Sequence, residues 1–363
     1  MFNKHIPALD GLRGFATIWV VLSHLDQAGL PKPLPGQTGE YGVFLFFILS
    51  GFLMGHLYLP QEFTATNLIK YGAARSSRIV PIYYLTIIFL VSMSFLIGKD
   101  FVYFMNIHDF IRHMAFFGNK YVYWSIGPEV QFYVVFIGIW YLFRTLTTNM
   151  VAVFPIAILA VAMIIFLQPF FPGTLVFSKF SIFAAGVIMA GIVAHLPSAS
   201  GLSQVKSIWI AQITAISILI ALTFTPFWRE PILNPYAIPK DISFNAIYGD
   251  FRWIILMAIM LLILAIETPV SRIIFASRVA RLSGTYSFSI YLLHVPVMTG
   301  AHNIANSLGW SVFGATLLAL ASVAAIGPLC STLIEKPAQS WFRMKMIALG
   351  THMVEIKSKA LPA

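Results

Sequence analysis

Arg13 and His24 stand eleven positions apart in the stretch "ALDGLRGFATIWVVLSHLD", residues 8 to 26. Helix geometry turns eleven residues through three turns and a little more. Both side chains therefore share a face, about 16 Å apart along the axis. Asp10, three before Arg13, joins that face. A neutral imidazole can take the proton of an alcohol as its oxygen attacks an activated carbonyl, so His24 is the candidate general base. Arg13 is the candidate cation at the other end of the stripe, and Asp10 a candidate substrate contact. The plainer alternative makes Arg13 a topology anchor and His24 an interfacial residue. Such a stripe cannot face lipid, where a charged group costs several kcal/mol, so it must line a protein-enclosed cavity. The chain has no persuasive Ser or Cys nucleophile motif. An acyl-histidine relay stays open beside direct transfer.

Arg75 and Arg78 are one helical turn apart, so both guanidinium groups can point the same way. Guanidinium is a natural phosphate ligand, and coenzyme A is rich in phosphate. The pair is a candidate binding site for a phosphate-bearing molecule, with Arg13 a further candidate contact for it. Glu129 follows Pro128 at the start of a helical pattern. It is either an acid placed against the helix dipole or a carboxylate that orients the imidazole or binds acceptor hydroxyls. Tyr123 and Trp124 beside it offer flat faces to a sugar ring. His294, ahead of Pro296, is an ionisable group deep in an apolar segment and a candidate substrate contact. Gly51 and Gly55 form a G-x-x-x-G pair suited to close helix packing. No metal site is expected, and Cys330, the only cysteine, reads as a small buried hydrophobe.

These residues need an all-α frame in the bilayer. Of 363 residues 59% are hydrophobic and 10% charged, with 32 Phe and a mean hydropathy of +0.84, far from water-soluble domains. About ten apolar segments centre near residues 18, 50, 88, 136, 160, 185, 216, 260, 293 and 320. The formal charge of +10 does not point to nucleic acid, because the basic residues sit singly or in small groups at segment ends. A ten-span arrangement with both termini in the cytoplasm places 15 of the 23 Lys and Arg inside. Connections near 25–41, 98–124 and 226–251 then face outward as an acceptor-binding rim. The expected organisation is a polytopic bundle of about ten transmembrane helices. It forms one membrane-embedded domain over 1–363, with a short cytoplasmic tail from about 338. Glu335-Lys336-Pro337 should end the last span.

The motif "LDGLRGFATIWVVLSH" resembles the opening signature of the acyltransferase-3 family of integral membrane O-acyltransferases. "GVFLFFILSGFLMG" (42–55), "RSSRIVPIYYL" (75–85), "YWSIGPEVQFYV" (123–134), "YSFSIYLLHVPV" (286–297) and "IEKP" (334–337) resemble the family in the same order. The resemblance implies ten spans in a bacterial inner membrane. It also implies transfer of an acyl group, acetyl above all, from acetyl-CoA to a sugar hydroxyl of a surface or secreted glycan such as lipopolysaccharide or exopolysaccharide. It associates Arg75-x-x-Arg78 with the donor. Lys179 stands where family members often carry Arg. Acyl-CoA, a glycan or lipid-linked sugar acceptor and the bilayer are then the partners. No fused esterase-like domain is expected, and a separate partner chain stays open. The rival reading is a non-catalytic carrier or exporter of a lipid-linked glycan or acyl group, which should show matched broken helices in two halves.

Overall fold

The computed structural model describes residues 6–34, 39–98, 101–146, 159, 161–195, 205–224, 248, 250–266 and 268–360. Among the described residues there is helix and no strand. Lipid offers no partner for backbone N–H and C=O groups, and a helix satisfies them internally. The helices are α1 (Pro7–Ser23), α2 (Gly39–Tyr58), α3 (Ala65–Ile97), α4 (Ile107–Met114), α5 (Ile126–Leu146), α6 (Val161–Phe170), α7 (Phe180–His195), α8 (Lys206–Phe224), α9 (Phe251–Leu264), α10 (Pro269–Ile274), α11 (Arg278–Thr285), α12 (Ser287–Ser307), α13 (Val312–Cys330) and α14 (Lys336–Ala360). All the expected apolar centres fall on helices, save that residue 160 lies outside the described residues. Among the described residues, five stretches are long and apolar enough to cross a membrane: Gly39–Tyr58, Ala65–Ile97, Tyr121–Thr145, Val176–Ala194 and Val312–Met353. Residues 1–5, 361–363 and most of the expected 226–251 connection lie outside the described residues.

The chain divides into two compact units. The first comprises Met1–His56 and Ile164–Pro328. Here α1 is enclosed by protein, and of its residues only Ile18 is exposed. The enclosure depends on glycine. A methyl on Gly11 would collide with the Phe275 carbonyl, and one on Gly14 would come within 2.8 Å of the Ala280 carbonyl oxygen. These close approaches let α10 and α11 lie directly on α1. In the same unit α2 crosses α7 with their backbones touching. A methyl on Gly51 would strike the Phe183 carbonyl, one on Gly186 the Ile48 carbonyl, and one on Gly55 would come to 2.9 Å from Ala190 Cβ. The G-x-x-x-G pair is thus a packing device.

The second unit comprises Leu57–Met163 and Leu329–Ala363. Its long member is α3, opened by Thr64, whose hydroxyl accepts the Asn67 N–H at 3.2 Å. The short helix α4 begins with a reciprocal cap between Asn106 and Asp109. It is fixed to α3 by Tyr83 and Tyr84, whose hydroxyls bond His113 Nδ1 and the Met114 carbonyl, each at 2.8 Å. Along α3 lies α14, with Gly350 against Ile69.

The sequence "IEKP" does not stop the last helix. Residues Ser331–Glu335 form a π turn, and the chain then continues helical as α14. Pro337 cannot donate to the carbonyl four residues back and crowds it. A wider turn immediately before the proline absorbs that defect, so the helix passes through.

Candidate active site

The first unit holds Asp10, Arg13, His24 and His294. Asp10 and Arg13 stand on the first turns of α1, both partly buried, and the Arg13 carbonyl accepts the Thr17 hydroxyl at 2.9 Å. His24 is the first residue past α1. Its Nδ1 lies 2.7 Å from the Val20 carbonyl oxygen and 3.2 Å from Ser23 Oγ. A carbonyl oxygen only accepts, so Nδ1 carries the ring proton and Nε2 keeps a lone pair, the form a general base requires.

His294 comes to His24. The ring centroids are 5.2 Å apart with the planes at 71°. His294 is 1% exposed, and its Nδ1 donates to the Tyr291 carbonyl at 2.7 Å. Its Nε2 has no hydrogen-bond partner among the described residues. The beginning of α2 closes on the same place: a methyl on Gly39 would lie 3.2 Å from His24 Cε1.

Sequence reasoning gave little weight to one feature of this unit. Lys179 is 0% exposed, with Nζ 4.5 Å from the Tyr248 ring centroid and 3.2 Å from Ser178 Oγ. The Glu40 carboxylate acts on its charge. A buried ammonium in an apolar chain persists only with such partners. The signal was there, since Lys179 breaks the otherwise apolar run "FSKFSIF".

The second unit holds Arg75, Arg78, Tyr123, Trp124 and Glu129. Arg75 is 7% exposed, and its guanidinium carbon lies 5.1 Å above the centre of the Tyr58 ring. Its Nε makes no hydrogen bond among the described residues. Arg78, one turn on, is partly buried. Beside them α5 runs past α3. The Tyr71 hydroxyl donates to the Tyr133 carbonyl at 2.6 Å, and the Tyr133 hydroxyl donates to Glu129 Oε1 at 2.9 Å. The charges of Glu129, Arg78 and Arg75 all act on Tyr133. Glu129 thus bonds a tyrosine on which the charges of both arginines act. The spacing of Glu129 and Tyr133, four apart on one helix, could have shown the link.

Tyr123 does not offer a face to a ligand. It is 0% exposed and meets the Tyr103 and His113 rings edge-on at 5.6 and 6.2 Å. Trp124 remains partly buried. No group of three or more His, Cys, Asp or Glu that could hold a metal occurs among the described residues.

Comparison with known proteins agrees with the family resemblance. An acyltransferase-domain family model, that of the acyltransferase-3 family, matches residues 6–334. A peptidoglycan O-acetyltransferase of Listeria monocytogenes, OatA, is 26% identical, over 92% of this chain and 56% of the relative. A putative peptidoglycan O-acetyltransferase of Bacillus subtilis, YrhL, is 24% identical, over 93% and 55%. A putative O-acetyltransferase of Staphylococcus aureus is 23% identical, over 83% and 52%. The chain spans about half the length of these curated relatives. No solved structure matches. With the family's domain matched over nearly the whole of its length, this chain belongs to the acyltransferase-3 family of integral membrane acyltransferases.

Proposed function

We propose that the chain is a multi-pass O-acyltransferase of the bacterial inner membrane. It moves an acyl group, acetyl first, from acyl-CoA to a sugar hydroxyl of a cell-envelope glycan. The observation that carries this reading is the His24 tautomer: with Nδ1–H held by the Val20 carbonyl, Nε2 is the basic nitrogen. That base takes the hydroxyl proton as the oxygen attacks the thioester carbonyl. Arg75, oriented on Tyr58, and Arg78 bind the donor's phosphates, with Glu129 and Tyr133 setting the guanidinium geometry. Arg13 and Asp10 extend the polar stripe of α1 from His24. About ten spans with both termini in the cytoplasm give donor and acceptor access from opposite sides.

Two relatives are named for peptidoglycan, which makes lipid-linked peptidoglycan precursor the first acceptor to offer. The purified full chain in nanodiscs is incubated with radiolabelled acetyl-CoA and that acceptor, then with other lipid-linked glycans. Label appearing in glycan, with one free thiol released per ester formed, is the expected result. Export of glycan with no thiol release would replace this reading with a carrier.

A further inference from the structure

The geometry points to a covalent relay in which His294, beside the base His24, carries the acyl group at Nε2 between donor and acceptor. This inference rests on the acyltransferase reading and goes beyond it by choosing between direct transfer and an acyl-enzyme.

Three observations converge. First, both rings are locked in the same tautomer, His24 by the Val20 carbonyl and His294 by the Tyr291 carbonyl, each at 2.7 Å. Each therefore presents a basic Nε2. Secondly, the rings touch, with centroids 5.2 Å apart. Direct transfer moves one proton and needs one base. A second basic nitrogen in contact with the first is redundant unless it bonds to carbon. Thirdly, the two differ in exposure: His24 is partly exposed and His294 is 1% exposed. An acyl-imidazole is destroyed by water, so the dry ring suits the carrier and the accessible ring suits proton exchange. The charged groups that act on His24 are Asp26 and Lys32, on the segment after α1. Tyr291, on α12 itself, meets His294 at 6.0 Å between ring centroids.

The steps balance. The lone pair of His294 Nε2 attacks the carbonyl carbon of an acyl thioester. The C–S bond breaks and the thiolate leaves with the electron pair. The resulting N-acyl imidazolium keeps its Nδ1 proton on the Tyr291 carbonyl. The acceptor oxygen then attacks the acyl carbon while His24 Nε2 takes its proton. The C–N bond breaks, the electron pair returns to His294 Nε2, and His24 passes its proton to the thiolate or to solvent.

The test gives the full-length protein radiolabelled acetyl-CoA without acceptor, quenches it, and counts label bound to protein. Wild type and His24→Gln should hold close to one label per chain, the latter for longer. His294→Gln should hold none and should lose glycan acylation by about 10³-fold, the scale of a catalytic group. Because His294→Gln could fail to fold, the label in His24→Gln is also mapped by mass spectrometry, where a hydroxylamine-labile acetyl on His294 is expected. Wild-type glycan acylation by a folded His294→Gln, or label on another residue, overturns the relay and leaves the acyltransferase reading standing. Absence of label and of glycan product in wild type overturns both.

Discussion

The Tyr133 hydroxyl donates to Glu129 Oε1 at 2.9 Å across one turn of α5, and the charges of Arg75 and Arg78 act on the same tyrosine. A hydrogen bond to a charged acceptor contributes about 1.5–3 kcal/mol. Tyr133→Phe and Glu129→Ala should each weaken acyl-CoA binding about tenfold. The double variant should lose little more than either single one, because both remove the same bond. Titration of the detergent-purified variants with acetyl-CoA checks this, and fully additive losses would show that the two side chains act apart.

The Arg75 guanidinium carbon lies 5.1 Å from the centre of the Tyr58 ring, and a guanidinium engages both an aromatic face and a phosphate in ways an ammonium does not. Arg75→Lys should therefore bind acyl-CoA nearly as poorly as Arg75→Ala. Tyr58→Leu should show a smaller loss, of about 1 kcal/mol, the scale of the cation–π contact. Equilibrium binding at two salt concentrations measures both effects. Wild-type affinity in Arg75→Lys would mean that charge alone suffices.

The crossing of α2 and α7 at Gly51 and Gly186 leaves no room for a methyl group on either helix. Gly51→Ala and Gly186→Ala should each cost about 1–3 kcal/mol by overpacking. Gly72, inside α3 with nothing within 4 Å of an added Cβ, supplies the contrast. Gly72→Ala should be neutral or stabilising by up to about 1 kcal/mol through helix propensity. Thermal unfolding of the three proteins in one detergent separates the cases.

His113 is a buried imidazole that stays neutral. The Lys120 N–H donates to its Nε2 at 3.4 Å, and Nδ1 meets the Tyr83 hydroxyl. Burial lowers its pKa from 6.5 to about 4, outweighing the opposing pull of Asp109. As pH falls below 6.5 the unfolded chain takes up a proton that the folded chain refuses. Stability should thus fall progressively between pH 6.5 and about 4, by on the order of 3 kcal/mol in total, and be insensitive to this group above 6.5. Thermal unfolding of wild type and His113→Gln across that range tests the assignment. An unchanged slope in the variant would place the pH dependence elsewhere.

The helical class and the positions of the apolar helices could be read from the sequence because hydropathy reports burial in lipid directly. The close packing at Gly51 and Gly55 could be read from their spacing. What could not be read was partnership. His24 meets His294 some 270 positions away, and Lys179 meets Tyr248, through packing that no local period encodes. Tyr123 shows the converse error. A tyrosine next to a partly buried tryptophan reads as a ligand platform, yet the rings of Tyr103 and His113 occupy its surroundings. "IEKP" misled because a proline stops a helix only where no wider turn precedes it.

At 33 residues, α3 is about 50 Å long, whereas the hydrocarbon of a bilayer is about 30 Å thick. Its apolar run begins at Ile79, and the turns before it bear Lys70, Arg75 and Arg78, with Gly350 against Ile69. Under the proposed donor role, a phosphate-rich molecule held by those two arginines would keep its most strongly hydrated end wet and surrender only its slender tail to the apolar run beyond Ile79.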